Sequence, residues 1–205
     1  MNYHMNFLYN RLALASAGVL LSLEAHAHAG NIMPGGFVLG FVHPFNGFDH
    51  LLAMVSVGIW GAFLRRPLVY ALPVVFPLMM VVGAMFGMFG IELPIPRIEL
   101  GIAFSVVVLG CCIALAVRAR VWIAVAIVAV FAVFHGYAHG AMLPIAADPV
   151  GYSIGFVLAT GLLHLAGIGI GLLTMRPAGL VITRAIGVAV GGTGIYLLRL
   201  ALAIE

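Results

Sequence analysis

Residues Val121 to Leu143 read VWIAVAIVAVFAVFHGYAHGAML, a run without a single Asp, Glu, Lys or Arg whose two imidazoles, His135 and His139, stand toward its end. About 20 apolar residues suffice for a helix to cross the ~30 Å hydrocarbon layer of a bilayer. A helix that is apolar all round has no face for water, so it must sit in lipid or inside a bundle. Comparable runs recur outward in both directions, from Pro34 to the end of the chain. They predict an all-α fold, a polytopic membrane helix bundle of six transmembrane helices: Gly35 to Leu64, Pro67 to Gly90, Ile98 to Val117, Val121 to Leu143, Val150 to Met175 and Leu180 to Ala203. Composition agrees, because 64% hydrophobic and 7% charged residues with a mean hydropathy of +1.23 lie outside the range of water-soluble domains.

Ahead of these spans, Arg11, the apolar stretch Leu12 to Leu23 and Ala25-His26-Ala27 have the three-part layout of a secretory signal peptide. The expected organisation is therefore a leader over residues 1–27 and a six-helix domain over 28–205, with an extra N-terminal helix as the alternative. With the mature N-terminus outside, Arg65, Arg66, Arg118, Arg120, Arg176 and Arg184 fall on the inner side, and only Arg97 and Arg199 on the outer. That is the asymmetry of the positive-inside rule, and it agrees with an N-terminus on the outer side. The nine cations are all Arg, scattered singly or in pairs, which is not the pattern of a nucleic-acid surface. Cys111 and Cys112 are adjacent in an apolar run, so they read as small buried packing residues rather than as a metal or disulfide pair. Gly83 and Gly87, Gly161 and Gly167, and Gly187 and Gly191 have spacings that let helices approach closely.

Ionisable groups inside the spans point to chemistry. An Asp near the middle of a bilayer costs about 2.5–3.5 kcal/mol on insertion scales, so Asp49 needs a compensating partner, and a divalent cation is one. Asp49 lies in His43-Pro44-Phe45-Asn46-Gly47-Phe48-Asp49-His50, where Pro44 and Gly47 predict a break that could bring His43, Asp49 and His50 to one point. His135 and His139, at i and i+4, offer two ligands from one helix, with Met142 on the same stripe. His164 stands alone in the fifth span, where hydrogen bonding to a neighbouring helix is the competing role. Glu99, at the outer end of the third span, is either an access ligand or a charge at a helix N-terminus. His28, with His26, would sit at the new N-terminus, as a capture site for metal or as a solvated tail. Imidazole and carboxylate together suit Ni, Co, Zn or Cu(II).

Four motifs carry a family resemblance: His43-Pro44-x-x-Gly47-x-Asp49-His50-Leu51-Leu52-Ala53-Met54-Val55-x-Val57-Gly58-x-Trp60; Glu99-Leu100-Gly101-Ile102-Ala103-x-Ser105; Phe134-His135-Gly136-x-Ala138-His139-Gly140; and Ala159-Thr160-x-Leu162-Leu163-His164-Leu165-Ala166-Gly167. The chain resembles the HupE/UreJ family of bacterial nickel permeases and hydrogenase or urease accessory proteins, over essentially its whole mature length. The resemblance implies a secondary carrier for Ni(II), an indirect link to a metalloenzyme maturation system, and functional roles at His43, Asp49, His50, Glu99 and His139, with Phe76 as a further matching position. Met142 departs from the pattern, since the family has a Glu there. A thioether in place of an anionic oxygen moves the preference toward copper, so Co(II), copper and zinc stand beside Ni(II) as cargo.

No GxxxxGK[ST] motif is present, so uphill movement would draw on an ion gradient or the membrane potential. Spans one and four each carry a histidine motif and run in opposite directions, which suggests a 3+3 inverted repeat with the site at its interface. The expected partners are the lipid bilayer, the metal ion and, in a homo-oligomer, further copies of the chain. An enzyme is not expected: a membrane metalloenzyme would need a spare general base beyond Asp49 and Glu99. A haem protein using histidine pairs as axial ligands is the third class, and a Soret band would reveal it.

Overall fold

The computed structural model describes residues 35–93, 97–142 and 148–203, with the side chain of Met142 excepted. The leader over 1–27, His28 and the Met142 side chain lie outside the described residues. Helix is the only regular structure among them, and it falls close to where the apolar runs end. The helices are α1 (Gly36–Asn46), α2 (Phe48–Leu64), α3 (Leu68–Met88), α4 (Ile98–Ala114), α5 (Val121–Met142), α6 (Pro149–Gly171, extended by a 3-10 turn over Leu172–Met175) and α7 (Pro177–Ala203).

Four of these segments, in α3, α5, α6 and α7, are 21 to 27 residues long and apolar enough to cross a membrane. At 1.5 Å per residue, even ~21 residues reach about 31 Å, the hydrocarbon thickness. The first expected span is two helices, α1 and α2, bent by 81° at Gly47. Together they pass the same test as one broken span. The third expected span is shorter than Ile98 to Val117: α4 stops at Ala114 after 17 residues. Its end is set by the backbone, which turns into the left-handed region at Ala116 (φ 52°). Arg184 Nε then donates to the Ala114 carbonyl at 2.7 Å, and Trp60 Nε1 donates to the Val117 carbonyl at 3.1 Å. A cation at a helix C-terminus satisfies orphan carbonyls and complements the dipole. Six full-length spans thus become four, a broken fifth and a short apolar helix.

Large apolar side chains divide between two surroundings. Met54, Ile59, Trp60, Leu72, Phe76 and Leu109 are fully buried in the core, whereas Trp122, Val150, Leu165, Val181 and Val188 face outward. An outer surface so apolar is that of a membrane protein. Cys112 is buried but Cys111 is exposed, against the expectation that both pack inside. Neighbours on a helix point about 100° apart, so a single buried stripe rarely holds both.

The main helix pairs are α3 with α5, α4 with α7, and the broken pair α1 and α2 with α6. Contact at the first of these is between backbones: a Cβ on Gly83 or Gly87 would run into the carbonyls of Val133 or Tyr137, and one on Gly136 or Gly140 into those of Met80 or Ala84. Gly58 and Gly167 do the same between α2 and α6. Gly161, expected at a helix contact, has nothing within 4 Å of a would-be Cβ, because it lies on the outward side of α6.

Gly140→Val should therefore force α5 from α3 and destabilise the detergent-solubilised protein by about 1–3 kcal/mol. Gly161→Ala should be neutral or stabilising by up to ~1 kcal/mol. Thermal unfolding of the two variants checks this, and equal melting temperatures would contradict the packing described.

Candidate metal centre

Pro44 has no N–H to give to the carbonyl of Gly40, which weakens the last turn of α1. The helix ends two residues later, and Gly47 (φ −99°, ψ 111°) carries the chain to a new start at Phe48. Glycine is needed there for space rather than for its backbone freedom: a Cβ on Gly47 would come to 2.9 Å from Asp49 Oδ1 and 3.1 Å from His50 Nδ1. The break thus puts His43, at the end of α1, and His50, in the first turn of α2, on two sides of one corner. Their ring centroids are 5.8 Å apart.

Asp49 sits in the first turn of α2, where the helix dipole favours a negative charge. Its Oδ1 accepts from the His50 backbone N–H at 2.8 Å and contacts His50 Nδ1 at 2.7 Å. An oxygen of a carboxylate has no proton to give, so Nδ1 carries the hydrogen and Nε2 keeps the lone pair. Buried His50 Nε2 has no partner. A carboxylate that fixes the tautomer and aim of an imidazole is the usual outer partner of a metal-binding histidine. Asp49 therefore serves His50 in this geometry.

The α5 histidines come from the other side. Gly136 and Gly140 hold α5 against α3, which turns the adjacent His135 and His139 inward. His139 lies 4.7 Å from His43 and 4.8 Å from His50, ring centre to ring centre. Ligand nitrogens of His43, His50 and His139 all lie within 4.8 Å of one another. Tetrahedral ligation at about 2.0–2.1 Å per nitrogen would need them roughly 3.3 Å apart, so side-chain adjustments of about an ångström close the set. His135 is next to this triad, 5.0 Å from the His50 ring. Its Nδ1 is held at 3.0 Å by the Phe131 carbonyl, and its Nε2 is buried without a partner.

The remaining expected positions are placed as follows. His164 is not in the triad; the ring of Phe76 packs against both His164 and His135, at 5.4 Å and 5.6 Å. Glu99 is exposed in the first turn of α4, outside the cluster. Tyr152 and Phe156, which the sequence reading did not single out, form the wall on α6: Phe156 is 4.4 Å from the His139 ring, and Tyr152 is 6.0 Å from that of His43. Their signal was the stripe Tyr152, Phe156, Thr160, His164, four residues apart on one helix face. A half-open, mainly apolar pocket of ≈ 60 Å³ between α3, α5 and α6 touches His139 and Thr160. Two buried imidazoles and a half-buried third, with open coordination positions and adjacent space, are what a first-row transition ion requires of a site it can leave.

Asp49→Asn keeps the shape but loses the charge that orients His50. Affinity for Ni(II), measured by isothermal titration calorimetry on purified protein, should fall about 10–100-fold, with the fold retained. Unchanged affinity would remove Asp49 from the site.

Comparison with known proteins adds to this geometry. The family profile described as HupE / UreJ protein matches residues 14–197. The "Protein HupE" of Rhizobium leguminosarum bv. viciae is 39% identical over 190 residues, covering 93% of this chain and 98% of that protein. No solved structure matches.

Proposed function

The chain belongs to the HupE/UreJ family, and on that premise we propose that it is a secondary permease importing Ni(II) across the bacterial inner membrane, with its mature N-terminus periplasmic. The observation that carries this reading is the convergence of His43, His50 and His139, from the two halves of a broken span and from α5, on one point. Imidazole in a hydrocarbon setting is costly unless it has a task. The triad offers ligation with open positions, and an ion that must travel on needs binding weak enough to release.

The halves of a broken membrane helix are a recurrent way to line such a site with backbone and side chains at once. The helix pairing supports a 3+3 arrangement. Exchanging the first three spans with the last three turns the pairing of span two with span four into that of span five with span one, and leaves three with six unchanged; these are the main pairs of the bundle. The membrane potential alone favours inward movement of a divalent cation by about 4.6 kcal/mol per ~100 mV, enough for roughly a thousandfold gradient. The ion passes through chemically unchanged, which makes the protein a carrier rather than an enzyme. A metalloenzyme maturation system inside the cell is the consumer that the family relationship suggests.

Proteoliposomes containing the protein should accumulate radioactive nickel in their lumen, and Asp49→Asn should abolish that uptake while leaving the protein inserted. Bound counts that never exceed the amount of protein would point to a fixed metal and reject the permease. Competition by Co, Cu and Zn, compared in wild type and Met142→Glu, reads the selectivity. The Glu variant should gain preference for Ni(II), an oxygen ligand being harder than a thioether. An identical metal profile would show that Met142 is not a ligand.

A further inference from the structure

Beyond the triad, polar groups continue along α6 where packing closes no well-formed hydrogen bond to them. His164 and Thr160 are each 1% exposed. Both ring nitrogens of His164 and the hydroxyl of Thr160 lack a hydrogen-bond partner. They are one helical turn apart on the same face, and His164 lies eight residues past Phe156, about 12 Å along the helix from the triad wall. Buried polar groups are almost always paired, so a cluster of unpaired ones marks a place where something else binds.

Resting on the permease reading, we propose that His164 and Thr160 form a second, weaker station for a divalent transition-metal ion, inward of the triad, with the ring of Phe76 as the partition between the two.

Phe76 is fully buried and packs edge-on against both the last imidazole near the triad and the one beyond it, with interplanar angles of 60° to His135 and 88° to His164. An ion moving from one imidazole to the other has to displace that ring. The backbone that carries Phe76 is built to yield: Pro73 and Pro77 both lie inside α3, and each removes a hydrogen bond from the helix. Pro77 leaves the carbonyl of Pro73 without its donor. That carbonyl approaches the His164 imidazole closely enough to interact with it, although no hydrogen bond of good geometry is closed. Imidazole, hydroxyl and a freed carbonyl make a sparse donor set to be completed by water. Such a set holds an ion briefly, whereas three imidazoles hold it longer. The His135 Nε2 lone pair, on the other imidazole that Phe76 touches, is the natural point of transfer.

Co(II) is the probe for occupancy, since its visible absorption reports each bound ion and calorimetry counts them. Full-length wild type in detergent should take up one Co(II) at the triad with high affinity and a second with lower affinity, and His164→Leu should remove the second alone. A wild type that never takes up a second ion, or a second ion that persists in His164→Leu, would overturn the proposal. In proteoliposomes, His164→Leu should slow radioactive nickel uptake by about tenfold or more while the triad affinity stays as in wild type. His164→Cys, which restores a donor atom, should recover part of the rate. Uptake at the wild-type rate in His164→Leu, or an equal loss in Leu and Cys, would assign His164 to packing alone. Failure of wild type itself to accumulate nickel would defeat the permease reading, and the cobalt stoichiometry would still decide whether the second station exists.

Discussion

A carboxylate inside hydrocarbon needs hydrogen-bond donors from the protein itself, and the 2.7 Å contact between Asp49 and His50 supplies one. Other features of the outer half follow from it. The carboxylate sits at a helix start, so a helix must begin there, and for that the first span must break. Pro44 weakens the preceding turn and Gly47 leaves room for the pair, which a Cβ at that corner would crowd. The break, in turn, faces His43 toward His50 across an 81° bend, instead of stacking them along one straight helix. A local electrostatic need thus shapes the backbone, and the backbone assembles two of the three imidazoles.

The third imidazole depends on close packing. In a membrane there is little hydrophobic gain in bringing one apolar helix against another, so contact rests on van der Waals fit between small residues. Gly136 and Gly140 seat α5 on the backbone of α3, and they immediately follow the two histidines that the helix delivers. Glycine and histidine in the sequence His135-Gly136 and His139-Gly140 therefore divide the work: one residue sets the helix position and the other uses it. The same economy holds on α6, where Gly167 meets α2 three residues past His164.

Much of this was legible before any coordinates. Composition and apolar run length identified a membrane helix bundle, Pro44 and Gly47 located the break, and the i, i+4 spacing put His135 and His139 on one face. Other readings could not be made correctly from one dimension. Gly161 and Gly167 look equivalent as letters, yet only Gly167 touches a neighbour. Cys111 and Cys112 read as a buried pair and are split between core and surface. Nor do the letters say that Asp49 engages His50, or that Phe76 packs against both His135 and His164.

The sequence alone determined the solvent of the fold and the chemistry available within it, because transfer energies and donor types belong to residues and not to their arrangement. Tertiary structure decided which donors share a point. Helix rotation and separation are collective results of packing at glycines scattered over several spans, and a shift of one residue in any contact would turn an imidazole from the centre of the bundle toward its edge. For that reason the triad of His43, His50 and His139, and the packing of Phe76 against both His135 and His164, exist only in three dimensions.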